Sequence, residues 1–98
     1  MTVLSPNGGQ LIDAQTTFPI TWIANDDIAV TRLDINLSTD GGASFNTVVA
    51  AGIPNTGSYL WSVNDTPTTR GRIRLIAYDA NFQSAVDKSN ADFTLRLA

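Results

Sequence analysis

Leu33, Ile35 and Leu37 alternate with Asp34, Asn36 and Ser38, and Asp40-Gly41-Gly42 follows at once. Strict alternation puts apolar side chains on one face and polar ones on the other, which is the period of a half-buried strand. Asp-Gly-Gly supplies residues that tolerate positive φ, so the chain is expected to reverse there. Phe45 then opens the expected return strand, Ser44 to Ala50.

The same pattern recurs on both sides. Thr2-Val3-Leu4 is a short extended entry closed by Ser5-Pro6-Asn7-Gly8-Gly9, and Gln10-Leu11-Ile12 resumes it as the second half of a broken first strand. Phe18, Ile20 and Trp22 share a face. Pro19 between them has no N–H to give a ladder, so this strand is expected to lie partly at an edge or to carry a bulge. Tyr59, Trp61 and Val63 alternate next, after a breaker cluster from Ala51 to Gly57. From Gly71 to Asp79 runs the longest segment, with Ile73, Leu75 and Ala77 inward and Arg72, Arg74, Ile76 and Tyr78 outward. Asn25-Asp26-Asp27 and Asn64 to Thr69 read as loops, and Ala80 to Ser89 as a polar connection. Phe93, Leu95 and Leu97 close the core side.

About seven antiparallel strands, regularly cut by turn residues and without a helical period, predict an all-β sandwich. Trp22 and Trp61 are the expected centre of the layer between its sheets. A sugar-binding platform is the competing reading of these rings, and their shared phase with apolar neighbours favours the core. Residues 1–98 make one domain. Met1 directly precedes a strand-like segment, which suggests an added start on a module excised from a larger multidomain protein.

Composition narrows the function. The chain has no cysteine, histidine or glutamate. Their absence removes thiolate chemistry, the usual general bases and most nucleophile–base pairs, so the expectation is a protein that is not an enzyme. Lys88 is the one lysine. It reads as exposed, which disfavours both a serine–lysine site and an autocatalytic Lys–Asn crosslink. A net charge of −3 argues against nucleic acid and against an anionic membrane surface. No apolar run approaches the ~18 residues of a membrane span, and none of these residues is expected to be a signal peptide. Arg70, Arg72 and Arg74 fall on one strand face, read as solvated.

Ser38-Thr39-Asp40-Gly41-Gly42-Ala43-Ser44-Phe45 fits Ser-x-Asp-x-Gly-x-Ser/Thr-aromatic. It resembles the Asp-box hairpin of sialidase-like propellers, but one copy in a chain this short is not a propeller. The expected role is structural: Ser38, Asp40 and Gly42 build the turn, Asp40 caps turn amides, and Phe45 tucks under the hairpin. Asp26, Asp27, Asp65, Asp79 and Asp87 are read as loop carboxylates. They leave loop Ca²⁺ as the single cofactor to consider, though no spacing matches a dedicated Ca²⁺ loop. Asn36-Leu37-Ser38 and Asn64-Asp65-Thr66 match the glycosylation sequon, a pattern common by chance.

In order, Ser5-Pro6-Asn7-Gly8-Gly9, Ile20-Thr21-Trp22, Leu37 to Gly42, Tyr59-Leu60-Trp61, Arg72-Ile73-Arg74-Leu75 and Asp87-x-Ser89 before Phe93 form a series. It resembles the Ig/fibronectin-III-like accessory modules of secreted bacterial hydrolases and surface proteins. It is similar also to the Ig-like domain of fungal Ser/Thr-rich, GPI-anchored cell-wall proteins linked to β-1,6-glucan assembly. The family hairpin usually carries Thr-Trp where this chain has Ser44-Phe45. The resemblance implies an Ig/fibronectin-III-like sandwich, extracellular or at the cell surface, beside a catalytic or anchoring domain, with no catalytic residue to carry over. The expected function is a non-catalytic accessory or spacer module contacting adjacent domains. The alternative is a module that binds carbohydrate or a cell-surface protein. Tyr78 and Phe82 are the outward aromatics expected to seat a neighbouring domain or ligand.

Overall fold

Among the described residues each alternating segment forms a strand or directly flanks one. The computed structural model describes residues 2–23, 30–63, 66–79 and 84–96, and no helix occurs among them. The strands are β1 (Thr2–Ser5), β2 (Leu11–Asp13), β3 (Thr17–Ile23), β4 (Val30–Ser38), β5 (Thr47–Ile53), β6 (Ser58–Ser62), β7 (Thr68–Asp79), β8 (Ser84–Lys88) and β9 (Phe93–Arg96). One sheet has the order β1-β3-β6. The other runs β2-β9-β7-β4-β5, with β8 also paired to β7. The two pack face to face as a β-sandwich.

Among the described residues there are nine strands, not about seven, and β2 pairs β9 in parallel. Two breaks account for this. The Ser5-to-Gly9 corner carries the chain from one sheet to the other, so β1 pairs β3 while β2 pairs β9. The last strand is split as well: β8 pairs the C-terminal half of β7, and β9 pairs its N-terminal part. The expected polar connection from Ala80 to Ser89 therefore holds a strand. Asp87 hid it. Opposite inward-facing Leu75, it occupies an inner position where alternation calls for an apolar residue, and its carboxylate accepts the Val3 N–H at 2.7 Å.

The return strand also differs from expectation. It starts at Thr47, because the turn consumes the chain through Ser44, and it continues through the supposed breaker as far as Ile53. Gly52 makes this possible. Its φ of 66° lies at a bulge opposite β4, and its N–H donates to Asp34 Oδ1 at 2.9 Å. Pro19 behaves as its chemistry demands. It pairs with Leu60 on β6, beyond Ser5↔Thr21, where the register with β1 ends. The hydrogen bonds to β6 at Thr16 and Trp22 put the even-numbered residues in the bonded positions. The missing N–H of Pro19 thus faces the side without a neighbour.

The core sits between the sheets. Ile20, Trp22 and Trp61 come from one, and Leu33, Ile35, Leu37, Ile73, Leu75 and Phe93 from the other, all essentially buried. Trp22 donates its ring N–H to Asn55 Oδ1 at 2.9 Å. Gly71 is small of necessity: a Cβ there would stand 2.5 Å from the Phe93 ring. Leu97, expected in this layer, lies outside the described residues.

The first segment runs parallel to the last along their whole length. Val3 bonds Asp87, Pro6 bonds Ser89, Asn7 bonds Ala91, Gly9 bonds Asp92, Gln10 bonds Thr94 and Ala14 bonds Arg96. The described chain therefore enters beside β8 at one end and leaves beside Ala14 at the other. The molecule measures 41 × 23 × 20 Å. The 12-residue β7 spans about 40 Å at ~3.4 Å per residue, and Thr2 and Arg96 stand at opposite ends of the paired first and last segments that run along it.

Candidate functional site

Ser38, Asp40, Gly42 and Phe45 come together as the sequence implies. Ser38 Oγ donates to Asp40 Oδ1 at 2.6 Å and accepts the Gly42 N–H at 2.9 Å. Asp40 accepts the Ser44 N–H on Oδ1 at 2.9 Å and the Ser44 hydroxyl on Oδ2 at 2.5 Å. Gly41 and Gly42 both take positive φ, 74° and 91°, and the Gly41 N–H donates to Arg70 O, which anchors the turn to β7. Hydrogen bonds from Ser38, then from the Ser44 side chain and N–H, hold the Asp40 carboxyl far below its ordinary value of 3.8. A depressed folded value means stability that is present above the ordinary pKa and lost as pH falls toward the folded one. Asp40→Asn is therefore expected to destabilise the protein at neutral pH, with the gap from wild type narrowing progressively as the pH falls below about 5. Urea melts at stepped pH measure this, and a gap constant with pH would show that the charge of Asp40 is irrelevant.

Phe45 lies beneath Gly42 and extends over the outer face of the second sheet. There the Arg74 guanidinium stands 4.6 Å from its ring centroid and the Lys88 ammonium 5.7 Å. Arg74 and Lys88 are directly opposite each other on β7 and β8. Arg74 donates to the Asn36 side-chain oxygen at 3.1 Å, while its buried Nε has no hydrogen-bond partner. Two residues along, Arg72 pairs with Asp92 at 2.7 Å and reaches Ser89 O at 3.2 Å. The arginine face is thus engaged with Phe45, Asn36 and Asp92, and is not the plain solvated face expected. Farther along β7, Tyr78 faces outward, half-buried, with the Arg32 guanidinium 4.6 Å from its centroid.

Other expectations sort as follows. Trp22 and Trp61 are 3% and 1% exposed and belong to the core. Asp79 and Asp87 are strand residues on β7 and β8 and do not stand in loops. Asp26, Asp27, Asp65 and the sequon at Asn64 lie outside the described residues, as does Phe82. Among the described residues no three acidic side chains are grouped closely enough to hold a metal ion. Asn36 is a mid-strand residue whose amide serves Arg74. Sequence reading missed the assembly of Arg74, Lys88 and Phe45. Its one legible signal was the Arg-x-Arg-x-Arg alternation, because the strand that brings Lys88 alongside was hidden.

Compared with protein-family models, with curated proteins and with solved structures, the chain shows no significant match.

Proposed function

We propose that the chain is a non-catalytic accessory or spacer module of an extracellular multidomain protein. The observation that carries the reading is that the first and last segments run side by side in parallel, so that entry and exit stand at opposite ends of them, the geometry that keeps flanking domains in line and apart. The fate of the aromatics supports it too. Trp22, Trp61 and Phe93 are buried, and cations stand over the rings of Phe45 and Tyr78, so those ring faces are not open to a pyranose. The extracellular setting rests on the resemblance of the ordered motifs to secreted accessory modules.

Two measurements test this. Pull-downs on insoluble neutral polysaccharides such as cellulose, chitin and β-glucan are expected to leave the protein in solution. Micromolar retention abolished by Tyr78→Ala or Phe82→Ala would make it a carbohydrate-binding module instead. Small-angle scattering of two copies joined in tandem is expected to give a rod about twice the 41 Å long axis; a compact, side-by-side pair would remove the spacer reading.

A further inference from the structure

Five of the six cations, Arg32, Arg70, Arg72, Arg74 and Lys88, take outward positions on β4, β7 and β8, although the chain carries net charge −3. Among the described residues these strands present one outward carboxylate, Asp34, and its Oδ1 already accepts the Gly52 N–H. The ion pairs of the described residues are Arg72–Asp92 and Arg96–Asp13. Arg74 and Lys88 are in neither, yet they face each other across a strand pair. Like charges so placed repel, and folding gains nothing from the repulsion. A site that is strained by unbalanced charge when free, and relieved by an anion, has the electrostatics of a binding surface.

The chemistry of the anion follows from the surroundings. The faces of Phe45 and Tyr78 that a sugar would stack on are occupied by cations. Charge and spacing remain. Arg70, Arg72 and Arg74 succeed one another every second residue, about 7 Å apart along β7. Side chains on one face of an extended polypeptide have that same interval. Val86, half exposed beside Lys88 on β8, adds an apolar contact.

We propose that this outer face, centred on the Arg74–Lys88 pair, docks an extended acidic segment of a partner polypeptide, with carboxylates on alternate residues. The proposal deepens the accessory reading by giving the neighbour a chemistry. Arg72 would exchange Asp92 for the partner's carboxylate, and Arg74 and Lys88 would share another.

The test uses the 98-residue chain and fluorescence anisotropy with a labelled (Ser-Asp)n peptide. A block peptide of the same composition and polygalacturonate serve as comparisons. The alternating peptide is expected to bind at least tenfold more tightly than the block peptide, and its affinity should fall steeply with added salt. Arg74→Gln and Lys88→Gln should each weaken it at least fivefold, whereas Arg96→Gln, on β9, should not. Lys88 is exposed at a strand end, so its substitution leaves the fold intact. No binding at low salt, equal binding of the two peptides, or indifference to both substitutions would overturn the proposal. Tighter, Arg74-dependent binding of polygalacturonate would overturn it in favour of an acidic polysaccharide. Only that last outcome bears on the spacer reading, by making the module a binder of acidic carbohydrate; the others leave it standing on the scattering and pull-down results.

Discussion

Trp61→Ala is expected to destabilise the protein by about 3–5 kcal/mol, the range for removing a buried aromatic. Trp61 is 1% exposed and meets the Phe93 ring edge-on, with centroids 6.5 Å apart and planes at 71°. It comes from one sheet and Phe93 from the other, so the truncation opens a cavity across the interface that holds the sandwich together. Phe93 stands on β9, which is paired with β2 on one side and β7 on the other, so it can fill the space only in part. A domain of this size has only about 5–15 kcal/mol of stability in total, so the variant should melt at a much lower urea concentration. Trp61→Phe should recover much of the loss. A shift under about 1 kcal/mol, far below the cavity cost, would mean that Trp61 does not stand in the core.

Ser89→Ala should cost nearly as much, although it removes a single oxygen. Ser89 is 2% exposed. Its Oγ donates to Pro6 O at 2.6 Å and accepts the Ile73 N–H at 3.0 Å. Alanine leaves both backbone groups unpaired in a site closed to water. At about 1–3 kcal/mol for each, with incomplete additivity, the expected loss is about 2–4 kcal/mol. The effect should also have a place. Gly9 and Ala91 donate across the same junction, to Asp92 O and Asn7 O, and their amides should exchange with solvent faster in the variant. Unchanged exchange at Gly9 and Ala91 would show that Ser89 does not hold the corner to the last strand.

These two residues mark how far the sequence could be read. Trp61 was legible because its phase agrees with Tyr59 and Val63, and an apolar side chain in phase with apolar neighbours has one place to go. Ser89 was not. It stands between Lys88 and Asn90 in a stretch that reads as polar connection, and its importance comes from Pro6, eighty-three residues away in the chain. The hairpin was legible in its turn, its Asp40 cap and the place of Phe45, because Ser38, Asp40, Gly42 and Ser44 satisfy one another within a few residues; the bonds of Ser38 Oγ and of the Ser44 hydroxyl came only with the structure. The cationic face was half legible. The arginines alternate in one segment, but Lys88 joins Arg74 only through the pairing of β8 with β7.

Alternation and turn chemistry are local properties, and they alone determine that this chain makes short strands, which face of each is apolar, and that two apolar faces must meet in a sandwich. Which strand lies beside which is decided elsewhere. The sheet switch at Ser5–Gly9, the parallel β2–β9 pair and the division of the last strand depend on half-buried Asp87 and buried Ser89 finding partners far off in sequence. Asp87 takes the Val3 N–H and Ser89 takes Pro6 and Ile73. A polar residue at an inner position looks like a break when only its neighbours in the chain are known. Asp87 is a strand residue once the folded chain brings the Val3 N–H within 3 Å.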